Sequence, residues 1–90
     1  MNFLLIYDIT EDKIRNKVAE VCKDYGMQRV QYSAFFGTMG RNYIEELEMK
    51  MKRLLKQANG SVIIFPLSKE SIEGVRKIES YESLPESEAL

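Results

Sequence analysis

The sequence contains no histidine, and that absence decides most of its chemistry. An imidazole base, an imidazole metal ligand and any nucleophile activated by histidine are excluded. The only cysteine, Cys22, cannot build a thiolate zinc site, and there is no glycine-rich phosphate loop. What remains is carboxylate chemistry, with Asp8 as its first candidate. Asp8 follows directly on the apolar run FLLIY at residues 3–7, so a rigid strand would hold its carboxylate at the rim of a sheet. There it either bonds the amides of the strand-to-helix turn or serves as a ligand. Magnesium takes roughly one or two carboxylates together with waters and phosphate oxygens. A lone Asp8 makes a poor site, whereas two copies near the axis of a twofold dimer could share one ion. Glu11 and Asp12 stand close by, but they read first as favourable charge in the first turn of a helix.

Cations accompany this carboxylate. Arg15, one turn into the expected helix, and Arg29, just before VQYS, can flank the same rim and reach phosphate oxygens, or else be solvated surface. Tyr7, Tyr32, Phe35 and Phe36 have the types that stack bases, but the inward face of a strand needs such residues for packing, so most of them read as core. The methionines, Met49 and Met51 included, read as packing groups, and so does Cys22 on the apolar face of the first helix.

The elements that must position these residues follow from periodicity. Residues 3–7 suit a strand covered on both faces. Thr10 is placed to cap a helix in which Ile14, Val18, Val21, Cys22 and Tyr25 recur at helical spacing, and Gly26 stops it. MQRVQYSAFFGTM, residues 27–39, is rich in β-branched and aromatic residues, enough for one bent strand or a tight hairpin. Asn42 and Glu45 resemble a capping box for a second helix, whose apolar face holds Ile44, Leu47, Met51, Leu54, Leu55 and Ala58, and Asn59 and Gly60 end it. SVIIFPL, residues 61–67, reads as a further buried strand with Pro66 near its end. A polar link leads to Val75–Glu79, a candidate last edge strand. The order predicts an α+β fold, a ferredoxin-like βαββαβ sandwich with two helices on one face of an antiparallel sheet, plus that C-terminal edge strand. The domain is expected to span residues 1–81, with 82–90 as a mobile acidic tail.

Composition sets the frame. A chain of 90 residues, 44% hydrophobic and 30% charged, suits one soluble domain. A domain of this size buries only about 60–65% of its unfolded surface, so self-association would add needed stability. One cysteine permits no intramolecular disulfide, no run approaches the roughly 18 apolar residues of a membrane span, and the apolar run directly after Met1 makes a secretory signal unexpected. A reducing cytoplasm is the expected location. The net charge of −1 hides an asymmetry: residues 1–78 hold all 13 Lys and Arg against 10 of the 14 acids, a balance of +3, and the remaining glutamates crowd the end.

Three stretches carry a resemblance: YDIT at 7–10, DKIRNKVAEVCKDYG at 12–26 and RVQYSAFFG at 29–37. Together they resemble the CRISPR-associated family of small ferredoxin-like endonucleases that act in spacer acquisition, over about residues 1–67. The specific combination is an aspartate ending the first strand joined to a Gly-x-x-Arg-x-Gln-x-Ser-x-Phe spacing. The resemblance implies a homodimer, often with the C-terminal strand packed on the partner's sheet, and a divalent ion such as Mg2+ shared by the two Asp8. It places Tyr7, Arg15, Arg29, Ser33 and Phe35 at the cleft or in nucleic-acid contact. Lys17 stands where some members have arginine, keeping the charge but losing the bidentate fork.

Two functions follow from this resemblance. One is metal-dependent cleavage of single-stranded RNA or duplex DNA, with Asp8 as the catalytic and metal-binding residue. The other is a scaffold that bridges copies of the CRISPR integrase along the new spacer DNA. A ferredoxin-like RNA-cleaving toxin or small-ligand regulatory domain unrelated to CRISPR is the alternative, because this fold serves many functions.

Overall fold

Strict alternation in the first strand organises the molecule. In the computed structural model, which describes residues 1–81, Phe3, Leu5, Tyr7 and Ile9 are buried while Leu4 and Ile6 are half-buried and Asp8 is exposed. Successive side chains of a strand point to opposite faces, so the buried set faces the helices and Asp8 does not. The chain runs β1 (Asn2–Ile9), α1 (Asp12–Asp24), β2 (Gln28–Gln31), β3 (Ala34–Thr38), α2 (Arg41–Leu55), β4 (Gly60–Leu67) and α3 (Lys69–Glu73). The sheet order is β2-β3-β1-β4, and every neighbouring pair is antiparallel. This is the expected ferredoxin-like βαββαβ arrangement.

The core joins the inward residues of β1 to one face of each long helix: Val18, Val21 and Cys22 from α1, Leu47 and Met51 from α2, with Phe35 of β3 fully buried. The two helices run in opposite directions. At one end the Tyr25 hydroxyl donates to Glu46 Oε2 at 2.6 Å. At the other end Glu11 Oε1 accepts from the Asn59 amide at 3.0 Å.

Several local expectations needed correction. The ambiguous stretch is a hairpin, with Tyr32 and Ser33 forming the turn between β2 and β3, and this turn leaves Tyr32 71% exposed rather than in the core. Met49 is likewise exposed, whereas Met51 packs as expected. The first helix begins at Asp12 with Glu11 at its N-cap, one residue later than expected, and the Glu11 carboxylate accepts from the Asn59 amide at 3.0 Å instead of capping the helix. The second begins at Arg41 after Gly40, which places Asn42 inside it and dissolves the expected capping box. Gly26, at φ +81°, does end α1.

The candidate edge strand Val75–Glu79 is not formed among the described residues. Ser68 caps a short helix just before it, its side chain accepting from the Ser71 amide at 3.0 Å, and the segment that follows has no strand partner among the described residues. Val75 and Ile78 are therefore 69% and 94% exposed. The expected acidic tail at 82–90 lies outside the described residues. Among the described residues no helix is long and apolar enough to cross a membrane.

Gly60 fixes the rim beside Asp8. A Cβ there would overlap the Asp8 carbonyl oxygen and come within 2.8 Å of the Ile9 Cα, so the strand pairing that carries Asp8 requires a glycine opposite Ile9, next to it.

Cys22 yields the first prediction. Complete burial pushes its thiol from 9.0 up to about 12, because the ionised form would lie in apolar surroundings. Native protein should therefore resist a thiol reagent at neutral pH and react once denatured. Below about pH 9 both states keep the proton. As pH rises from there toward 12 the unfolded thiol ionises first, so stability falls. Denaturant midpoints measured across that window should show the decline, and Cys22→Ala should lessen it.

Candidate nucleic-acid interface

Phe35 is the floor of the site, because it is fully buried yet carries a charge above it. Its ring stacks near Tyr7, centroids 6.2 Å apart at 21°. The Arg29 guanidinium lies over the same ring at 4.9 Å, a favourable cation–π position. Strand register explains the contact: Arg29 pairs directly with Phe35 across β2 and β3, so both side chains share the helix-facing side.

The hairpin turn is bound to this floor through its backbone. The Tyr32 carbonyl accepts from the Tyr7 hydroxyl at 3.3 Å and also from Arg29 Nη1. The Ser33 carbonyl accepts from the Tyr7 amide at 3.0 Å. Burial raises the Tyr7 hydroxyl pKa above its ordinary value, against the lowering pull of Arg29, so the phenol stays a neutral donor at physiological pH.

Arg15 closes the other wall. Its Nη1 donates to the Ile9 carbonyl at 3.1 Å and the Thr10 carbonyl at 3.5 Å, and its Nη2 pairs with Asp12. Tyr7, Arg15, Asn16, Ala19, Arg29 and Tyr32 together line a notch of about 60 Å³. That is room for a few atoms and not for a base. Arg29 has no carboxylate partner among the described residues, and Asp12, the partner of Arg15, is itself 82% exposed. Two guanidinium groups whose only facing carboxylate is solvated suit a phosphate oxygen.

The structure therefore brings together Tyr7, Arg15, Arg29, Phe35 and the backbone of Ser33. It does not bring Asp8 to them. Asp8 pairs with Ser61 across β4 and projects on the other face of the sheet, alongside Leu4 and Ile6. No group of three or more metal-ligating side chains occurs among the described residues. Sequence reasoning passed over Asn16 and did not separate Tyr32 from the aromatics of which most read as core. The signal for Tyr32 was its place beside Ser33, between two short β-prone runs, where a two-residue turn exposes its side chains.

A family model described as "CRISPR associated protein Cas2" matches residues 1–75. The chain belongs to the Cas2 family. The match reaches past residue 67, where the resemblance read from the sequence stopped. A relative from Desulforudis audaxviator (strain MP104C), named "CRISPR-associated endoribonuclease Cas2", is 44% identical over 89 residues, covering 99% of this chain and 84% of the relative. The Streptococcus pyogenes Cas2 crystal structure matches with a TM-score of 0.76 over 88% of this chain and 100% of that one. Its identity of 24% makes it a likeness of fold. A chain from a partial Cas6-RT-Cas1–Cas2 complex gives a TM-score of 0.73 at 26% identity, over 86% of this chain and 83% of that one. The sandwich of this Cas2 family member is thus the fold it shares with these solved chains.

The hydroxyl of Tyr7 is separable from its ring. Tyr7→Phe keeps the stack on Phe35 and removes only the bond to the Tyr32 carbonyl. The expected loss is about 1 kcal/mol of stability in denaturant titration, with faster amide exchange confined to the hairpin turn.

Proposed function

We propose that the protein acts in CRISPR spacer acquisition as a homodimeric nucleic-acid-binding scaffold for the integrase, with a metal-dependent phosphodiesterase centre formed by the paired Asp8. The observation that supports this reading best is the uncovered face of the sheet. Leu4, Ile6 and Phe36 are half-buried there without a covering layer, and Ile63 and Phe65 are 46% and 41% exposed. Strand register places them side by side: Leu4 lies between Phe36 and Phe65, and Ile6 pairs with Ile63. An apolar sheet face of this kind marks an interaction surface. A second copy packed on it by a twofold axis brings like residues together, and covering each large side chain contributes about 1 kcal/mol. The exposed Val75 and Ile78 then have a partner's sheet to pack on.

Asp8 stands on that same face, at its rim. One carboxylate per chain suits a Mg2+ ion only when two chains contribute, and the two Asp8 would then be the protein ligands. A bound ion would polarise a phosphate and acidify a water, supplying the base that a chain without histidine lacks. The alternation of β1 also separates two tasks. Arg15 and Arg29 hold phosphates from the helix side, while Asp8 serves the dimer side, so binding does not require the acid. The endoribonuclease name of the Desulforudis relative favours a hydrolytic capability, and the relative solved in a complex with Cas1 favours the integrase as partner.

Two experiments test the proposal. Sedimentation of purified protein is expected to give a dimer, and Ile63→Lys, which puts a charge on the open face, to give a folded monomer; a monomeric wild type ends the dimer reading. Cleavage of single-stranded RNA and duplex DNA is measured with magnesium or with chelator. Asp8→Ala is expected to abolish metal-dependent cleavage while duplex affinity measured in chelator stays within about twofold, since without the ion an exposed carboxylate makes no phosphate contact. Equal cleavage by variant and wild type removes the catalytic assignment.

A further inference from the structure

We propose that Tyr32 is a stacking platform for an unpaired base whose own phosphate is held in the notch between Arg15 and Arg29, so that the site adds an affinity for single strands that a duplex does not share. This deepens the reading of the protein as one that binds nucleic acid, and rests on it. Tyr32 and Ser33 form the two-residue turn between β2 and β3, a place where Asn, Asp and Gly are favoured. A large ring there is neither demanded by the turn nor buried. The Tyr32 carbonyl, and not its side chain, ties the turn to the core, by accepting from the Tyr7 hydroxyl at 3.3 Å and from Arg29. The turn is therefore held whatever the ring does, and the ring is left to meet a ligand.

The notch beside it selects that ligand. Tyr7, Arg15, Asn16, Arg29 and Tyr32 border a space of about 60 Å³, enough for phosphate oxygens and too small for a base. A base joined to that phosphate must lie outside, and the exposed ring at the border is that of Tyr32. Asp12 is the main cause that holds the Arg15 guanidinium above its ordinary pKa, and the Tyr32 hydroxyl adds to it. The ring thus stands at the arginine wall of the notch.

The other exposed aromatic side chains lack this setting. Tyr43 lies at the far end of the helix layer, beside a recess whose lining sets two acids, Asp24 and Glu46, against Lys50. Tyr81 donates to Glu79 Oε2 at 2.9 Å, and Phe65 stands on the open sheet face. Among the described residues, Tyr32 is the exposed ring that borders two guanidinium groups. The form of nucleic acid follows from this pairing. Bases in a duplex are already stacked, so a ring beside a phosphate contact meets only backbone there. In a single strand the base faces are open, and stacking on them is tolerant of sequence because every base has a π face.

The test is binding of the full-length protein to a labelled mixed-sequence single-stranded RNA and to a duplex DNA, both in chelator so that nothing is cleaved. Y32A is expected to bind the single strand about tenfold more weakly and the duplex within about twofold of wild type, with dimerisation and thermal unfolding unchanged. Its slope of log K against log salt is expected to match wild type, because a stack displaces no phosphate counterions. Y32F keeps the ring and is expected to bind as wild type, whereas Y32L keeps apolar bulk without a π face and is expected to bind as Y32A. Equal single-strand affinity in Y32A and wild type, an equal loss on the duplex, or wild-type binding by Y32L overturns the inference. So does a loss in Y32F as large as that in Y32A, which makes the hydroxyl the contact and not the stack. A wild type that binds duplex but no single strand overturns this inference alone, and one that binds neither overturns the scaffold reading with it.

Discussion

A strand with apolar residues on both faces, in a chain with helices enough to cover only one, is the constraint on which the rest depends. Phe3, Leu5, Tyr7 and Ile9 go to the helix layer and form the centre of the core. Leu4 and Ile6 are left on the far side, in line with Phe36, Ile63 and Phe65. A domain of this size has little burial to spare, since it removes only about 60–65% of its unfolded surface from water. Leaving one whole sheet face open adds to that shortage, and a symmetric partner is the most economical cover because one sequence supplies both halves. The same strand sets the position of Asp8. A register slip by one residue would send the aspartate into the core and the core residues into solvent, so the packing of the domain also fixes the face from which any chemistry at Asp8 is approached.

A second economy appears at the hairpin. The Tyr32 carbonyl accepts both the Tyr7 hydroxyl and the Arg29 guanidinium, so an exposed turn is tied to a buried stack by a single backbone oxygen. Arg29 uses one edge of its planar fork on this carbonyl and its face on Phe35, which leaves donors for an external anion. Lysine at this position would provide the charge without the plane and could not do all three. The notch is consequently rigid, and a rigid donor set loses less entropy on capturing a phosphate.

Much of the fold was legible because its signals are local. FLLIY, the helical periodicity of residues 14–25 and the stop at Gly26 need no knowledge of the rest of the chain. The helix starts were less legible. Thr10 and Asn42 have cap-forming side chains, but the helices start from Glu11 and Gly40, neither of which caps through its side chain. Val75–Glu79 was read as a strand from residue types alone, whereas a strand exists only when paired, and among the described residues this segment pairs with neither edge of the β2-β3-β1-β4 sheet. Tyr32 could not be told from the core aromatics because aromaticity says nothing about turn position. Arg15 and Arg29 were nominated from the sequence, but their convergence on Tyr7 is a long-range contact that periodicity does not encode. The family resemblance supplied it.

The separation of Asp8 from the arginines is the least legible feature and has a clear physical effect. A carboxylate at about 4 Å from a guanidinium near a protein surface is attracted by roughly 4 kcal/mol at an effective dielectric of about 20. Placed in the notch, Asp8 would pair with Arg15 or Arg29 and occupy the donors that a phosphate needs. The β-sheet prevents this, because alternation puts Tyr7 and Phe35 on one face and Asp8 on the other. Asp12 pairs with Arg15 instead, and at 82% exposure its charge is screened by water and easily displaced. The anion that competes for the notch is thus the weak one, and Asp8 is kept on the sheet face away from the arginines.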